Sequence, residues 1–384
     1  MKTAYRFLSF GCVLFFGLSA LTAVRLAVAE TIFRVDTAAA IQRAIAVAGL
    51  TPAAFEERLA EIDAPHARDA LKRAVAANPR SSAAWIALGL LEERCGDLEA
   101  AERSLLEASR VDRQYLPAWT LGNFYFRRAN RERFWVWADR AARLVYDDFR
   151  PLLRLCDQFE TDPGRMLAHF RDRRRLEPAY LNFLIGESRL DAAEEVAKGM
   201  WNDRANDPML IDLADREIRA GHALPAIELW NAASGFGPIA PAQGRILTNG
   251  DLARAPLNLG FDWRLIETEG VAEIWRPYKL VFTFSGSQPE ACAVLEQTMY
   301  FVPRHFRLRF DYVTGVVAPS GLRWSLDSVA GTPMEPSDRW REGVFDIPRT
   351  KGLAHLKLIY RREPGTTRTE GRIEIRNLRL EDSP

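Results

Sequence analysis

The hydrophobic period of this sequence changes once. Before the stretch Gly235-Phe-Gly-Pro-Ile-Ala-Pro241 apolar residues recur every three or four positions, and after it they alternate. A helical part is therefore expected to precede a strand-rich part, with the domain boundary in that Gly/Pro stretch. The length of 384 residues suits two or three domains, and 48% hydrophobic with 27% charged residues argues against wholesale disorder. Lys and Arg number 52 against 51 Asp and Glu, a net charge of +1. No global field gathers polyanions, which argues against a dedicated nucleic-acid binder or polybasic membrane binder and leaves local patches open.

The first residues read as a targeting or anchoring segment. Lys2 and Arg6 precede an uncharged run from Phe7 to Val24 that ends at Arg25. As a helix it rises about 27 Å, close to a hydrocarbon core of about 30 Å. Ala27-Val28-Ala29 before Glu30 has the small-x-small form of a signal-peptidase site, but the run exceeds the usual apolar region of about 7 to 15 residues. The reading is a membrane anchor with the body in the periplasm, the alternative being release there after cleavage. In both, the basic flank stays inside.

Residues 48–235 carry an internal repeat. Trp85, Leu88 and Gly89, followed by Ala101, Leu105 and Ala108 around a Gly96-Asp97 turn, recur as Trp119, Leu121, Gly122 and Tyr125 at a spacing of 33 or 34. Ala67, Leu71, Ala74 and Pro79 fit the second helix of an earlier copy. Over roughly residues 48–149 this resembles the tetratricopeptide-repeat family. Small Gly89 and Ala101 let paired helices approach, while Trp85, Leu88 and Leu105 fill the space between hairpins. Beyond 150 the consensus decays and the helical period continues, giving about six hairpins stacked as a superhelix. Such superhelices hold protein partners, and the candidate contacts are Tyr125, Trp135, Trp137, Arg127, Arg128, Arg131, Arg171 and Arg174. The competing reading packs the aromatics between repeats and pairs the Arg runs with nearby acids.

Residues 245–384 alternate as antiparallel strands. Eight or nine are predicted, in the segments 261–266, 271–275, 280–284, 292–302, 306–312, 322–326, 344–347, 356–360 and 373–380. A two-sheet jelly roll fits, with a bulge where the apolar phase slips between Ile375 and Leu378. Asn249-Gly250-Asp251-Leu252 with Phe261-Asp262-Trp263, Gln297 to Pro303 leading to Phe310, Trp340 before Val344-Phe345, and the closing Ile375 to Leu380 resemble jelly-roll carbohydrate-binding modules. The resemblance implies core roles for Trp263 and Trp340. Alternation buries Trp324, which leaves Trp275, Tyr278 and Tyr312 as candidates for stacking on a sugar ring. Arg376-Asn377 stands where such modules often carry an Asp pair that holds a structural calcium, which weighs against calcium, and no cofactor is expected.

The four cysteines are too dispersed for a metal pattern, and Cys95 and Cys292 read as small buried hydrophobes. The five histidines are isolated, and no hydrolase, P-loop or metalloprotease motif occurs. The domains expected are an anchor or signal segment (1–29), a linker or helix (30–47), tetratricopeptide-like repeats (48–235), a linker (236–244) and a β-sandwich (245–384). The combination resembles tetratricopeptide proteins of bacterial envelope polysaccharide systems. A non-catalytic extracytoplasmic adaptor is expected, with protein partners on the repeats and a glycan at the sandwich. The alternatives are a purely structural interaction protein or a glycan-modifying enzyme.

Overall fold

The computed structural model describes residues 2–35, 37–48, 53–62, 66–315 and 320–382, with side chains described from residue 18 onward except at 53 and 62. The chain divides into two compact units, 1–176 and 177–384. The division falls inside the helical part rather than in the Gly/Pro stretch.

The first unit opens with α1 (Lys2–Phe33), α2 (Ala38–Ala48), α3 (Ala53–Ile62) and α4 (Ala67–Ala77), then α5 (Ser82–Arg94), α6 (Leu98–Val111), α7 (Tyr115–Arg127) and α8 (Arg131–Leu144). It continues with α9 (Arg150–Phe159) and α10 (Pro163–Ala168). Neighbours pair as hairpins: α1 with α2, α3 with α4, α5 with α6 and α7 with α8. The repeat is visible in the turns. Asp97 caps α6 by accepting from the Ala100 N–H, and Asn130, 33 residues on, caps α8 by accepting from the Arg133 N–H. Before each cap stands a left-handed residue, Gly96 (φ 81°) and Ala129 (φ 52°), and the cap N–H closes the turn onto Glu92 O and Tyr125 O. Gly89 works as expected: a Cβ there would lie 2.7 Å from Leu105 Cγ and 3.1 Å from Ala101 O. Gly122 has open space instead.

The backbone helix over 2–33 agrees with the sequence, but most of the apolar run from Phe7 lies outside the described side chains. Among the described residues no helix is long and apolar enough to cross a membrane.

α11 (Arg173–Gly186) spans the division, followed by α12 (Leu190–Lys198), α13 (Asp207–Ala220) and α14 (Ala223–Ala233). Ser188 (φ 57°) and Gly221 (φ 83°), again 33 apart, are left-handed, with Arg189 N–H to Leu184 O and His222 N–H to Glu217 O repeating the same closure. The repeat thus persists past 150 in backbone geometry where the consensus residues fade.

Among the described residues ten strands follow: β1 (Arg264–Leu265), β2 (Val271–Arg276), β3 (Lys279–Ser285), β4 (Ala291–Phe301), β5 (Phe306–Thr314), β6 (Leu322–Leu326), β7 (Val329–Ala330), β8 (Arg341–Ile347), β9 (Gly352–Arg361) and β10 (Glu370–Asp382). They form two five-stranded antiparallel sheets, ordered β1-β4-β9-β6-β7 and β2-β3-β10-β5-β8. Successive strands from β3 to β6 and from β7 to β10 switch sheets, the alternation of a jelly roll. Leu280, Phe282 and Phe284 meet Leu356, Leu358, Trp324 and Trp263 in the core between the sheets. The expected bulge is present, with the β10–β5 register shifting between Arg376 and Arg379. A second, between Ala293 and Leu295 of β4, had no sequence signal.

α13 and α14 pack on the outer face of the first sheet. Ile218, Ile227 and Trp230 form one cluster with Phe261, against which Tyr300 and Leu353 also pack. Asp215 of α13 is fully buried. It accepts from the Gly260 N–H at 2.9 Å and pairs with Arg264 of β1 and with Arg219.

Candidate functional site

Of the partner candidates, two of the three aromatics face inward. Tyr125 is buried, its hydroxyl donating to Glu102 at 2.8 Å. Trp135 is buried with its ring stacked on His169 at 3.9 Å, and burial lowers the His169 pKa. Trp137 is half-buried with the Arg140 guanidinium 5.0 Å from its ring.

The Arg runs are largely committed. Arg127 binds Glu93 at 2.6 Å, Arg128 lies 4.5 Å over the Phe124 ring, and Arg131 donates to Phe159 O. The Arg171 N–H donates to Asp139 at 3.0 Å while its side chain stays exposed. Arg175 donates to Arg143 O and Val145 O at the C-terminal end of α8, where a cation suits the unsatisfied carbonyls. Arg174 is exposed.

The surface that remains lies on α7. Tyr115, Trp119, Asn123 and Phe126 are spaced four, four and three residues apart and are all half-buried on one helix face, bordered by exposed Leu116 and Arg127. Tyr115 and Trp119 stack at 6.0 Å and 12°. The Asn123 amide donates to Trp119 O at 2.9 Å. Arg127 joins this face to α5 through Glu93, and Phe126 joins it to α9 through Phe159 at 4.8 Å. Burial, and after it Asp148, raises the Tyr115 pKa, so its phenol stays a neutral donor and acceptor. The face combines stacked rings, an amide and a cation, the chemistry that recognises an extended polypeptide. Its signal in the sequence was partial: Trp119 is the consensus tryptophan of the second copy, and Tyr115, Asn123 and Phe126 share its helix face at spacings of four, four and three.

In the sandwich the three stacking candidates separate. Tyr312 is buried at 3% exposure beside Phe310 and cannot meet a ligand. Trp275 is half-buried against the core with its indole N–H donating to Leu252 O at 3.0 Å. Tyr278 is 62% exposed in the β2–β3 turn. Trp340, expected in the core, is 37% exposed with the Arg376 guanidinium 3.9 Å from its ring. An open depression of about 420 Å³ lies between the 236–251 segment and the end of β10, lined by Phe236, Arg245, Asp251 and Arg379 among others. The Phe236 ring there is already stacked on Trp230 and covered by Arg254.

Glu296 accepts from His355 and Lys357 on the outer face of the first sheet. Those bonds, His355 first, hold its carboxyl down to about 2. The Thr298 hydroxyl approaches the same His355 Nδ1 at 3.2 Å, so no nucleophile–base–carboxylate relay through the two ring nitrogens forms. Among the described residues no cluster of three His, Cys, Asp or Glu could hold a metal. At the position where the resemblance places a calcium-holding Asp pair, Arg376 pairs with Asp311 at 3.3 Å and the Asn377 amide donates to the same carboxylate at 2.8 Å. Cys95 is exposed, against expectation, while Cys156 is buried, its thiol pushed up by desolvation.

No family model and no curated protein matches the sequence. Among solved structures the chain is similar to YrrB, a TPR protein with an unusual peptide-binding site, at 18% identity over 43% of this chain and 91% of that one, with a TM-score of 0.25. It is also similar to the APC/C hetero-tetramer Cut9-Hcn1 at 14% identity over 56% of this chain and 43% of that one, with a TM-score of 0.27. The tetratricopeptide-like character of the helical part rests on its own turns and helix pairing.

Proposed function

We propose that the protein is a non-catalytic scaffold that holds an extended segment of a protein partner on the α7 face. The observation that carries this reading is the half-open ridge of Tyr115, Trp119, Asn123 and Phe126, packed enough to be rigid and open enough to be touched. Preorganised aromatic anchors of this kind make binding hot spots because little entropy is lost on contact. The apolar run from Phe7 to Val24 supports anchoring in a bacterial inner membrane, with the repeats and the sandwich in the periplasm and envelope polysaccharide assembly or export as the setting.

For the sandwich, the structural reading is the better supported one. α13 and α14 cover part of one sheet face, and of the three stacking candidates only Tyr278 is well exposed. A glycan contact, if the module keeps one, centres on Tyr278.

The test is affinity capture of envelope proteins with the full chain against a Trp119→Ala/Asn123→Ala variant, with Val136→Ala, an exposed position of α8, as control. A partner retained by the native chain and the control but lost by the double variant supports the ridge. Equal recovery by all three sinks it. Loss of glycan-array binding in Tyr278→Ala would restore a carbohydrate role, and no binding by the native chain leaves the structural reading.

A further inference from the structure

α1 has two halves with different surroundings. From Arg25 onward one side of it packs, through Ala29, Ile32 and Phe33, while Leu26, Ala27 and Val28 stay exposed. Ala29 is fully buried in a cluster with Ile41, Ala44, Ala48, Phe55 and Leu59, and Ile32 and Phe33 lean on the same cluster. The Phe33 ring stacks on Phe55 at 4.4 Å and 15°. Arg25 Nε donates to Val47 O at 3.1 Å, at the C-terminal end of α2 where carbonyls lack helical partners. Before Arg25 the described apolar side chains are open: Leu18, Leu21 and Val24 are 66%, 58% and 60% exposed.

Apolar side chains such as Leu18, Leu21 and Val24 left open to water are unfavourable. The sequence names what covers them. The uncharged run from Phe7 to Val24 has the length of a bilayer core, about 27 Å against about 30 Å, and Lys2, Arg6 and Arg25 stand at its two ends. The packed turns and the uncharged run belong to one continuous helix.

We infer that α1 is an unprocessed signal anchor whose last two turns are a structural part of the first helical layer, so that the Ala27-Val28-Ala29 triplet is held helical, and so withheld from signal peptidase, by the packing of Ala29, Ile32 and Phe33. Proteases bind their substrates as extended chain, as in strand addition, and the triplet lies within a helix with Ala29 at its buried face. Cutting before Glu30 would remove Arg25 and Ala29 and expose Ile41 and Ala44 of α2. The same continuity leaves only residues 34–37 between the anchor helix and α2, so the first hairpin stands close to the lipid surface. The inference rests on the anchor reading above.

The experiment uses the full chain with a C-terminal tag, expressed with a functional secretion system and recovered from membranes. Its intact mass and its retention after alkaline carbonate extraction are both read. A mass that includes residues 1–29, together with carbonate retention, supports the inference. A mature N-terminus at Glu30 overturns it. A full-length chain released by carbonate overturns the anchor reading itself, a result distinguishable from processing. A second variant tests the cause: Ile41→Asp loosens the layer without touching the triplet, and chains beginning at Glu30 are expected to appear. If that variant is destabilised yet wholly unprocessed, packing is not what protects the site.

Discussion

Ala129 and Ser188 occupy left-handed backbone at φ 52° and 57°, in the turns where Gly96 and Gly221 stand at equivalent positions. A Cβ in that conformation costs roughly 1–2 kcal/mol, and glycine escapes it. Ala129→Gly and Ser188→Gly are therefore expected to stabilise the full chain by about 1 kcal/mol each, and Gly96→Ala to destabilise it by a similar amount. Urea midpoints check all three, and an unchanged Ala129→Gly would remove the argument. Two buried or half-buried carboxylates set the acid behaviour. Hydrogen bonds from His355 and Lys357 hold Glu296 down to about 2 against an ordinary 4.5. Its contribution is present above about pH 4.5 and is lost as pH falls through 2. Burial pushes Asp262 up to about 6 from 3.8, although it accepts from the Leu257 N–H at 2.8 Å. A raised carboxyl works in reverse, its contribution full below about pH 3.8 and lost as pH rises through 6. Asp262→Asn should accordingly raise the midpoint at pH 7 more than at pH 3.5. Glu296→Gln should lower it at pH 6 and have little effect at pH 2. Parallel shifts at both pH values would show that neither group titrates as described.

Between neighbouring helices and strands, spacing carried some contacts and not others. Gly89 and Gly122 occupy equivalent consensus positions, yet an added Cβ meets Leu105 and Ala101 at the first and nothing within 4 Å at the second. Gly89→Ala should cost about 1–3 kcal/mol through overpacking, whereas Gly122→Ala should gain up to about 1 kcal/mol of helix propensity. Thermal denaturation of the two variants separates a packing glycine from an inherited one, and equal costs would contradict the geometry. The β10 bulge was legible because a slip of alternation moves every later side chain to the other face. What holds it was not: the Leu378 N–H donates to Gly250 O at 2.8 Å, and a Cβ on Gly250 would stand 2.4 Å from Leu378 O. The candidate partner face followed the same rule. Tyr125 and Trp135 drew attention as aromatics in a repeat, but both are packed, and the half-buried Tyr115, Trp119 and Asn123 lie on another face of α7.

At the scale of the whole chain, the change of period marked where strands begin but not where a compact unit begins. Sequence periodicity reports which face of an element is buried and is silent on what buries it. Here the helical hairpin α13–α14 and the sandwich share a cluster around Trp230 and Phe261. Asp215, buried without exposure to water, joins them through the Gly260 N–H and Arg264. A pairing 49 residues apart leaves no local trace. A fragment that starts at 245 loses the hairpin, exposes Phe261, Tyr300 and Leu353, and strands Arg264 without its carboxylate. A fragment that starts at 177 keeps all of these. The longer fragment is expected to unfold in urea as one cooperative transition, and the shorter to unfold at lower urea or to aggregate. Within the longer fragment, Asp215→Ala should cost about 3–5 kcal/mol, the range for removing one partner of a buried ion pair. If the 245 fragment matched the 177 fragment in midpoint, the sandwich would be an independent domain and the hairpin only a neighbour. If it fell below, the last hairpin belongs to the sandwich's fold, and the face it covers is closed to any glycan.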